Sequence, residues 1–337
     1  MTREQLNKLI DAGEFPEATS CRELIETHIS WVIICDQYVY KIKRPIQYSF
    51  LDFSTATLRK YFCEKELELN KRFAKNIYLE VLPIYVLNGN FKIGGNEGTI
   101  IDYALKMRKL DSEKQMDILL SKNNVAASEI LSLAENIVAF HKSSTIIYEK
   151  DQQELQEKFN DLAAEKKFIT ENLGSRSGNI ISRAIDISDT FLSENKTLLD
   201  ERMHAGFTRD CHGDLHTRNI FLLPHPQLFD CIEFNDDFRQ IDVLNEVAFL
   251  CMDLDAGGRE DLSDLFIHHY NRLFPSIINT NDQNLFIYYK IYRANIRAKV
   301  NSLRARSAAS ELDKISALSI AGKYLDLMEN YLNILTQ

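Results

Sequence analysis

The sequence predicts an α+β chain of two units, an antiparallel-sheet unit with one long helix followed by a larger, mainly helical unit. Three observations carry this. Short runs rich in β-branched and aromatic residues crowd the first hundred positions. Apolar residues at three- and four-residue spacing dominate after Leu110. The length, 337 residues, suits two units at about 150 residues per domain. The change of character near 107–111 sets the units at 1–108 and 109–337.

In chain order, residues 23–27, 30–34 and 38–43 read as strands, with a tight turn at Asp36-Gln37 between the last two. Ser54 or Thr55 caps a long helix running to about Ala74. Strand character returns at 81–87, 91–93 and 99–107, with turns at Asn88-Gly89 and Gly94-Gly95. Ile130, Leu133, Ala134, Ile137 and Phe140 mark an amphipathic helix. Leu155, Phe159, Leu162 and Ile169 mark another, stopped near Gly174, and a third covers about 180–199. Residues 207–242 form a strand-and-loop island, and 243–335 return to helical pattern almost throughout.

Composition narrows the function classes. With 45% hydrophobic residues the chain can build a large core, so disorder is excluded. A net charge of −9 leaves no overall footprint for non-specific nucleic-acid binding. The six cysteines include no C-x-x-C pair and read as scattered thiols in a reducing compartment. The first fifteen residues lack a secretory pattern, and the most apolar runs are too short to span a bilayer. A cytoplasmic location without a membrane partner is the expectation.

The island carries the chemistry. It reads His212-Gly213-Asp214-Leu215-His216-Thr217-Arg218-Asn219, then the apolar run 220–223, a Pro-containing turn, and Leu228-Phe229-Asp230. A hairpin here would draw Asp214, Asn219 and Asp230 together. Oxygen donors of this kind suit Mg²⁺, and a carboxylate left off the metal can orient a hydroxyl and accept its proton. The bland alternative is a set of Asp and Asn residues capping loops.

The His212-x-Asp214-Leu215-x-x-x-Asn219 spacing resembles the catalytic loop of kinases, and Gly213 with His216 makes it similar to the aminoglycoside phosphotransferase branch. Phe229-Asp230-Cys231-Ile232-Glu233-Phe234-Asn235-Asp236 looks like a bacterial subgroup of aminoglycoside phosphotransferase-like proteins. Thr27-His28-Ile29-Ser30-Trp31 followed by Tyr40-Lys41-Ile42-Lys43 resembles it as well. The resemblance covers most of the chain and implies a bilobal protein-kinase-like fold with the site between the lobes. It implies an ATP- and Mg²⁺-dependent kinase acting on a small-molecule hydroxyl. Asp214 would be catalytic, and Asn219 and Asp230 would hold the metal. Asp230 is followed by Cys-Ile instead of Phe-Gly, so the activation-loop switch of protein kinases does not carry over. Some relatives look fused to a P-loop kinase domain, but no G-x-x-x-x-G-K-[ST] occurs here. A nucleotide-binding pseudokinase and an AMP transferase are the alternatives on the same fold.

Such a lobe needs a cation for the nucleotide phosphates and a carboxylate to aim it. In the first-unit helix the stripe Leu58, Phe62, Leu69, Phe73 lacks one member, and Glu66 fills it. A carboxylate on a buried stripe is costly unless paired. Lys41 and Lys43 share one face of the strand 38–43. The resemblance favours Lys41, and the alternative is that both are solvated edge lysines. The phosphate-covering loop falls at 27–30, where Thr27 and Ser30 offer hydroxyls or are ordinary turn residues. The resemblance implies that His212 braces the loop, while His141 reads as a core histidine, and helix N-capping and loop anchoring account for Asp242 and Glu246. Lys290, Arg293, Arg297 and Arg304 follow helical spacing and form either an anion-binding face or an internally paired or solvated one.

Overall fold

Thr2 Oγ1 accepts from the Gln5 amide at 3.2 Å, and Gln5 Oε1 accepts from the Thr2 amide at 2.8 Å. This reciprocal cap starts α1 (Arg3–Ala12), a helix the sequence pattern did not single out because its apolar face is only two turns long. The computed structural model describes residues 1–48, 51–151 and 153–337. Contacts divide the chain into two compact units, one of residues 1–118 with 219–238 and the other of residues 119–218 with 239–337.

In the first unit the strands are β1 (Glu23–Glu26), β2 (Ser30–Ile34), β3 (Tyr38–Lys43), and the short pair β4 (Gln47–Tyr48) and β5 (Leu51–Asp52). Helix α2 (Ala56–Asn70) follows, then β6 (Tyr78–Leu87), β7 (Asn90–Ile93) and β8 (Thr99–Arg108). Six of these strands form an antiparallel sheet in the order β1-β2-β3-β8-β6-β7. Asn88 and Gly89 both have positive φ, 51° and 82°, as the tight β6–β7 turn requires. Leu6 and Leu9 of α1 join Trp31, Ile33, Tyr40, Ile84 and Ile93 in one buried cluster.

Helix α2 starts where Thr55 accepts from the Leu58 amide at 3.2 Å. Its buried line is Arg59, Cys63, Glu66, Asn70, with Leu69 alongside, whereas Leu58 and Phe62 are less enclosed. The inward face is therefore shifted by one residue from the apolar stripe. The reason is electrostatic, since Arg59 Nε donates to buried Asp102 Oδ1 at 2.8 Å and Glu66 meets the lysines of β3. Asn70 ends the helix, short of Ala74, by turning its amide back to the Glu66 carbonyl at 2.9 Å.

The short helix α3 (Met116–Ser121) lies at the change of unit. In the second unit come α4 (Ala127–Ser143), α5 (Gln153–Asn160), α6 (Lys166–Leu173), α7 (Ser175–Glu194), α8 (Lys196–His204) and strand β9 (Thr208–Asp210). The pattern 155–169, read as one helix, is broken by a 3₁₀ turn over Asp161–Glu165. That tighter turn buries Leu162 and Glu165 together, and Glu165 accepts from Ser302 Oγ and Arg306 Nη1, both at 2.7 Å. The helix expected at 180–199 starts earlier, at Ser175, and stops at Asn195, whose side chain binds the Phe191 carbonyl at 2.9 Å.

Strands β10 (Ile220–Phe221) and β11 (Gln227–Leu228) pair antiparallel within the first unit. The second unit resumes with β12 (Gln240–Asp242), which pairs β9, and with α9 (Val243–Ala256), α10 (Glu260–Leu273), α11 (Thr280–Arg306) and α12 (Glu311–Leu335). Helix α9 is buried along nearly its whole length, with Asn245, Glu246 and Asp255 enclosed among its apolar residues. No helix among the described residues is long and apolar enough to cross a membrane.

Candidate active site

The candidate residues of the first unit are placed by strand alternation. Lys41 and Lys43 point to the same side of β3. This strand lies between β2 and β8, so neither lysine is at a sheet edge. Glu66 approaches from α2 with one carboxylate oxygen for each: Lys41 Nζ donates to Oε1 and Lys43 Nζ to Oε2, both at 2.7 Å. Lys41 Nζ also donates to Asp230 Oδ1 at 2.6 Å, and Lys43 Nζ also donates to Glu233 Oε1.

These charges are enclosed to different degrees. The Glu66 and Lys43 side chains are 0% exposed, Lys41 is 12% exposed and Asp230 44%. Burial alone would push the Glu66 carboxyl up, but Lys41 and Lys43 outweigh it and hold it at about 2. Burial works against charge on Lys41 too, yet Asp230 and Glu66 raise it well above the ordinary lysine value. Glu233 moves the other way, raised by burial in spite of Lys43.

Asp230 has a φ of +63°, a left-handed conformation that costs a non-glycine residue about 1–2 kcal/mol. The segment is tied down where this strain sits. The Asp230 amide donates to Tyr78 Oη at 2.9 Å, and the Cys231 amide to Asn70 Oδ1 at 3.0 Å. The Phe229 amide donates to the Asn219 carbonyl at 3.1 Å across the β10–β11 hairpin. The hairpin thus brings the chain at Asn219 beside the residue before Asp230.

Thr27 and Ser30 lie in the β1–β2 turn. The Thr27 hydroxyl is engaged within that turn, donating to the Ser30 carbonyl at 3.0 Å and accepting from the Ser30 amide at 2.9 Å. The Ser30 hydroxyl is buried and has no hydrogen-bond partner among the described residues.

The second unit carries Asp214. Its loop is clamped to α9 at two points. Glu246 accepts from the His212 amide at 2.6 Å and from the Gly213 amide at 3.0 Å. Asp253 accepts from the Thr217 amide at 3.0 Å and the Thr217 hydroxyl at 2.6 Å, and Tyr324 Oη donates to it at 2.7 Å. Seven residues separate these carboxylates, which puts both on one side of α9. Gly213 has a φ of +87°, which favours glycine there, and its carbonyl accepts from Arg293 Nη1 at 3.1 Å. The Asp214 amide donates to His212 Nδ1 at 3.3 Å, so His212 braces the loop.

The Asp214 side chain is 36% exposed, with Oδ2 3.3 Å from His216 Nε2. Burial pushes its carboxyl up, but His216, His212 and Arg297 together hold it below the usual carboxylate range. It is therefore ionised at neutral pH, the state a proton acceptor needs.

The expected roles of Asp242 and Glu246 are what the structure displays. Asp242 caps α9, accepting from the Leu244 amide at 2.8 Å, and Glu246 anchors the loop. Of the basic residues on α11, Lys290 pairs with Asp255, and Arg293 binds Asn245 Oδ1 at 2.7 Å as well as Gly213. Arg304 is exposed. His141 is a core histidine bonded to Tyr270 Oη at 2.8 Å, and burial lowers it to about 3. His141, Cys211 and Glu246 place ligand-type atoms within 4.8 Å of one another, but both Glu246 oxygens already serve the loop amides.

Three contributors escaped the sequence reading: the enclosure of Lys43, Glu233, and Asp253. A signal existed for the last, since Glu246 and Asp253 interrupt the apolar run 243–254 at a two-turn interval. Glu233 had none beyond its place three residues after Asp230.

No protein-family model matches the chain. Uncharacterized proteins of Mycobacterium bovis and Mycobacterium tuberculosis are 29% identical to it over 307 residues, 89% of this chain. The chain spans 59% of the length of these curated relatives. Among solved structures, choline kinase from Cryptosporidium parvum Iowa II aligns with a TM-score of 0.53 at 11% identity, over 94% of this chain and 88% of its own. An AMP-bound complex of spectinomycin phosphotransferase aligns at 0.52 and 13% identity, over 98% of both chains. An aminoglycoside phosphotransferase from Alicyclobacillus acidocaldarius aligns at 0.51 and 13% identity, over 100% of this chain and 96% of its own. At these identities the likeness is one of fold: the chain has the protein-kinase-like fold of choline kinases and aminoglycoside phosphotransferases.

Proposed function

We propose that the chain is a small-molecule phosphotransferase that moves the γ-phosphoryl group of ATP to a hydroxyl acceptor. The observation that carries this is the partly exposed Lys41 ammonium, held by enclosed Glu66 and reaching Asp230, within a phosphotransferase fold. A fixed cation beside an accessible carboxylate is what phosphoryl transfer asks of a protein, because positioning and electrostatics do most of the work.

Lys41 binds the nucleotide phosphates and Glu66 orients it. Asp214 positions the acceptor hydroxyl and takes its proton. Thr27 and Ser30 shape the turn over the phosphates, tied to each other by the bonds within that turn. AMP-bound and GDP-bound phosphotransferase neighbours support a purine nucleotide as the donor class.

The oxygen donors of Asp230 and Asn219 fit Mg²⁺, a hard cation that takes carboxylate, amide and phosphate oxygens together with water. Asp230 is exposed enough to receive it, and the hairpin bond from Phe229 to Asn219 draws that part of the chain toward Asp230. When bound, Mg²⁺ neutralises phosphate charge. A hydroxyl-bearing small molecule is the acceptor class, as the names of the fold neighbours suggest, and the fold alone does not specify which.

Incubation with ATP, Mg²⁺ and a metabolite pool tests the reading. ADP formed together with a new phosphate ester supports it. Pyrophosphate with AMP attachment replaces it by nucleotidyl transfer, and ATP binding without any product replaces it by a regulatory nucleotide sensor.

A further inference from the structure

Glu66 is held by two lysines, and only one of them can meet a nucleotide. Lys41 retains exposure, whereas the Lys43 side chain is 0% exposed. The Lys43 ammonium is surrounded by Glu66, Glu233 and the ring of Phe53, whose centroid lies 4.8 Å away. Enclosing an ammonium is costly unless it is paired, and Lys43 meets two carboxylates. These come from different parts of the first unit, Glu66 from α2 and Glu233 from the segment that carries Asp230. One nitrogen of β3 thus ties the helix to the segment.

We propose that Lys43 and Glu233 are positioning residues of the nucleotide-phosphate site, holding Glu66 and the Asp230 segment in place independently of Lys41. The proposal rests on the reading of Lys41 as a phosphate ligand. Phosphate competes for Lys41 with the carboxylates that now hold it. If Lys41 were the only partner of Glu66, each nucleotide would weaken the grip on α2 that the site depends on. With Lys43 on Oε2, Glu66 stays anchored while Lys41 engages phosphate through Oε1. Glu233 performs the matching task for the segment. It follows Asp230 by three residues, so its bond to Lys43 fixes the far side of the strained left-handed turn whose near side Tyr78 and Asn70 hold. Neither residue touches the nucleotide, and both act through Glu66 and Asp230.

The test measures Mg²⁺-dependent ATP binding by calorimetry, with thermal melting recorded on the same samples. Glu233→Gln keeps the side-chain shape and an oxygen for Lys43. The paired variant Lys43→Met/Glu233→Leu removes both charges and so avoids a buried unpaired ion. Melting close to wild type combined with ATP affinity about 10- to 100-fold weaker, and with a higher Mg²⁺ requirement, is the expected result. Lys43→Arg, which keeps the charge, should recover part of the loss. Variants that melt normally and bind Mg²⁺–ATP within about twofold of wild type would overturn the proposal while leaving Lys41 as a phosphate ligand. A wild-type protein that binds no ATP would instead remove the reading of Lys41 itself, and the proposal with it.

Discussion

Lys41 Nζ lies 2.7 Å from Glu66 Oε1, with the carboxylate wholly enclosed and the lysine left partly open. This asymmetry suits a lysine that must exchange partners and a glutamate that must not. Replacing Glu66 with Ala leaves two ammonium groups short of a shared counter-charge. We expect a loss of about 3–5 kcal/mol of stability, the cost of breaking a buried pair from one side. Denaturant titration measures it, and a loss below about 1 kcal/mol would place the pair among weak surface bridges.

Lys41→Met and Asp230→Asn should separate by their Mg²⁺ dependence. The first removes a cation that meets phosphate with or without metal, so ATP binding should weaken at every Mg²⁺ concentration. The second removes a metal ligand, so binding should fall by about 10-fold or more at limiting Mg²⁺ and recover in part at excess. Calorimetry across a Mg²⁺ series reads both. Equal losses at all concentrations for Asp230→Asn would take that residue off the metal.

The sheet was legible because strand alternation and turn chemistry are local. The ranges of β2 and β3 follow from their β-branched and aromatic runs alone. Glu66 was legible for a different reason, since a carboxylate on an inward stripe must find a cation. The helix breaks at 161–165 and 195 were not, because tertiary bonds from Glu165 to α11 and a side-chain cap at Asn195 decide them. The pairing of Lys43 with Glu233 joins residues 190 positions apart, and no periodicity encodes such a contact. Helix α1 was lost to its shortness, although its Thr2–Gln5 cap was written in the sequence.

Asp214→Asn tests the assignment of the proton acceptor. The amide keeps the shape and leaves the Glu246 and Asp253 clamps intact, so the loop should hold its form. Turnover should drop by about 10²-fold or more, with ATP affinity within about twofold of wild type. Phosphate-ester formation and calorimetry on the same preparation measure the two quantities. Full turnover by the variant would remove Asp214 from the chemistry.

The anchor of the Asp214 loop should also make stability depend on pH. Burial raises the Glu246 carboxyl from 4.5 to about 7, against the opposing pull of Arg293 and of the His212 and Gly213 amides. Between these values the folded chain retains a proton that the unfolded chain has released. Protonation therefore favours the folded state in that window, and the contribution of Glu246 to stability falls as pH rises from about 4.5 to about 7. Above that range it is constant. The full swing is on the order of 3 kcal/mol. Other groups titrate over the same range, so the informative quantity is the difference between wild type and Glu246→Gln, which cannot ionise. Denaturant titrations between about pH 5 and 8 should show wild type losing stability relative to the variant as pH rises. A difference that does not change with pH would mean that Glu246 is ionised throughout, with the amides of His212 and Gly213 and the Arg293 charge sufficient to hold it so.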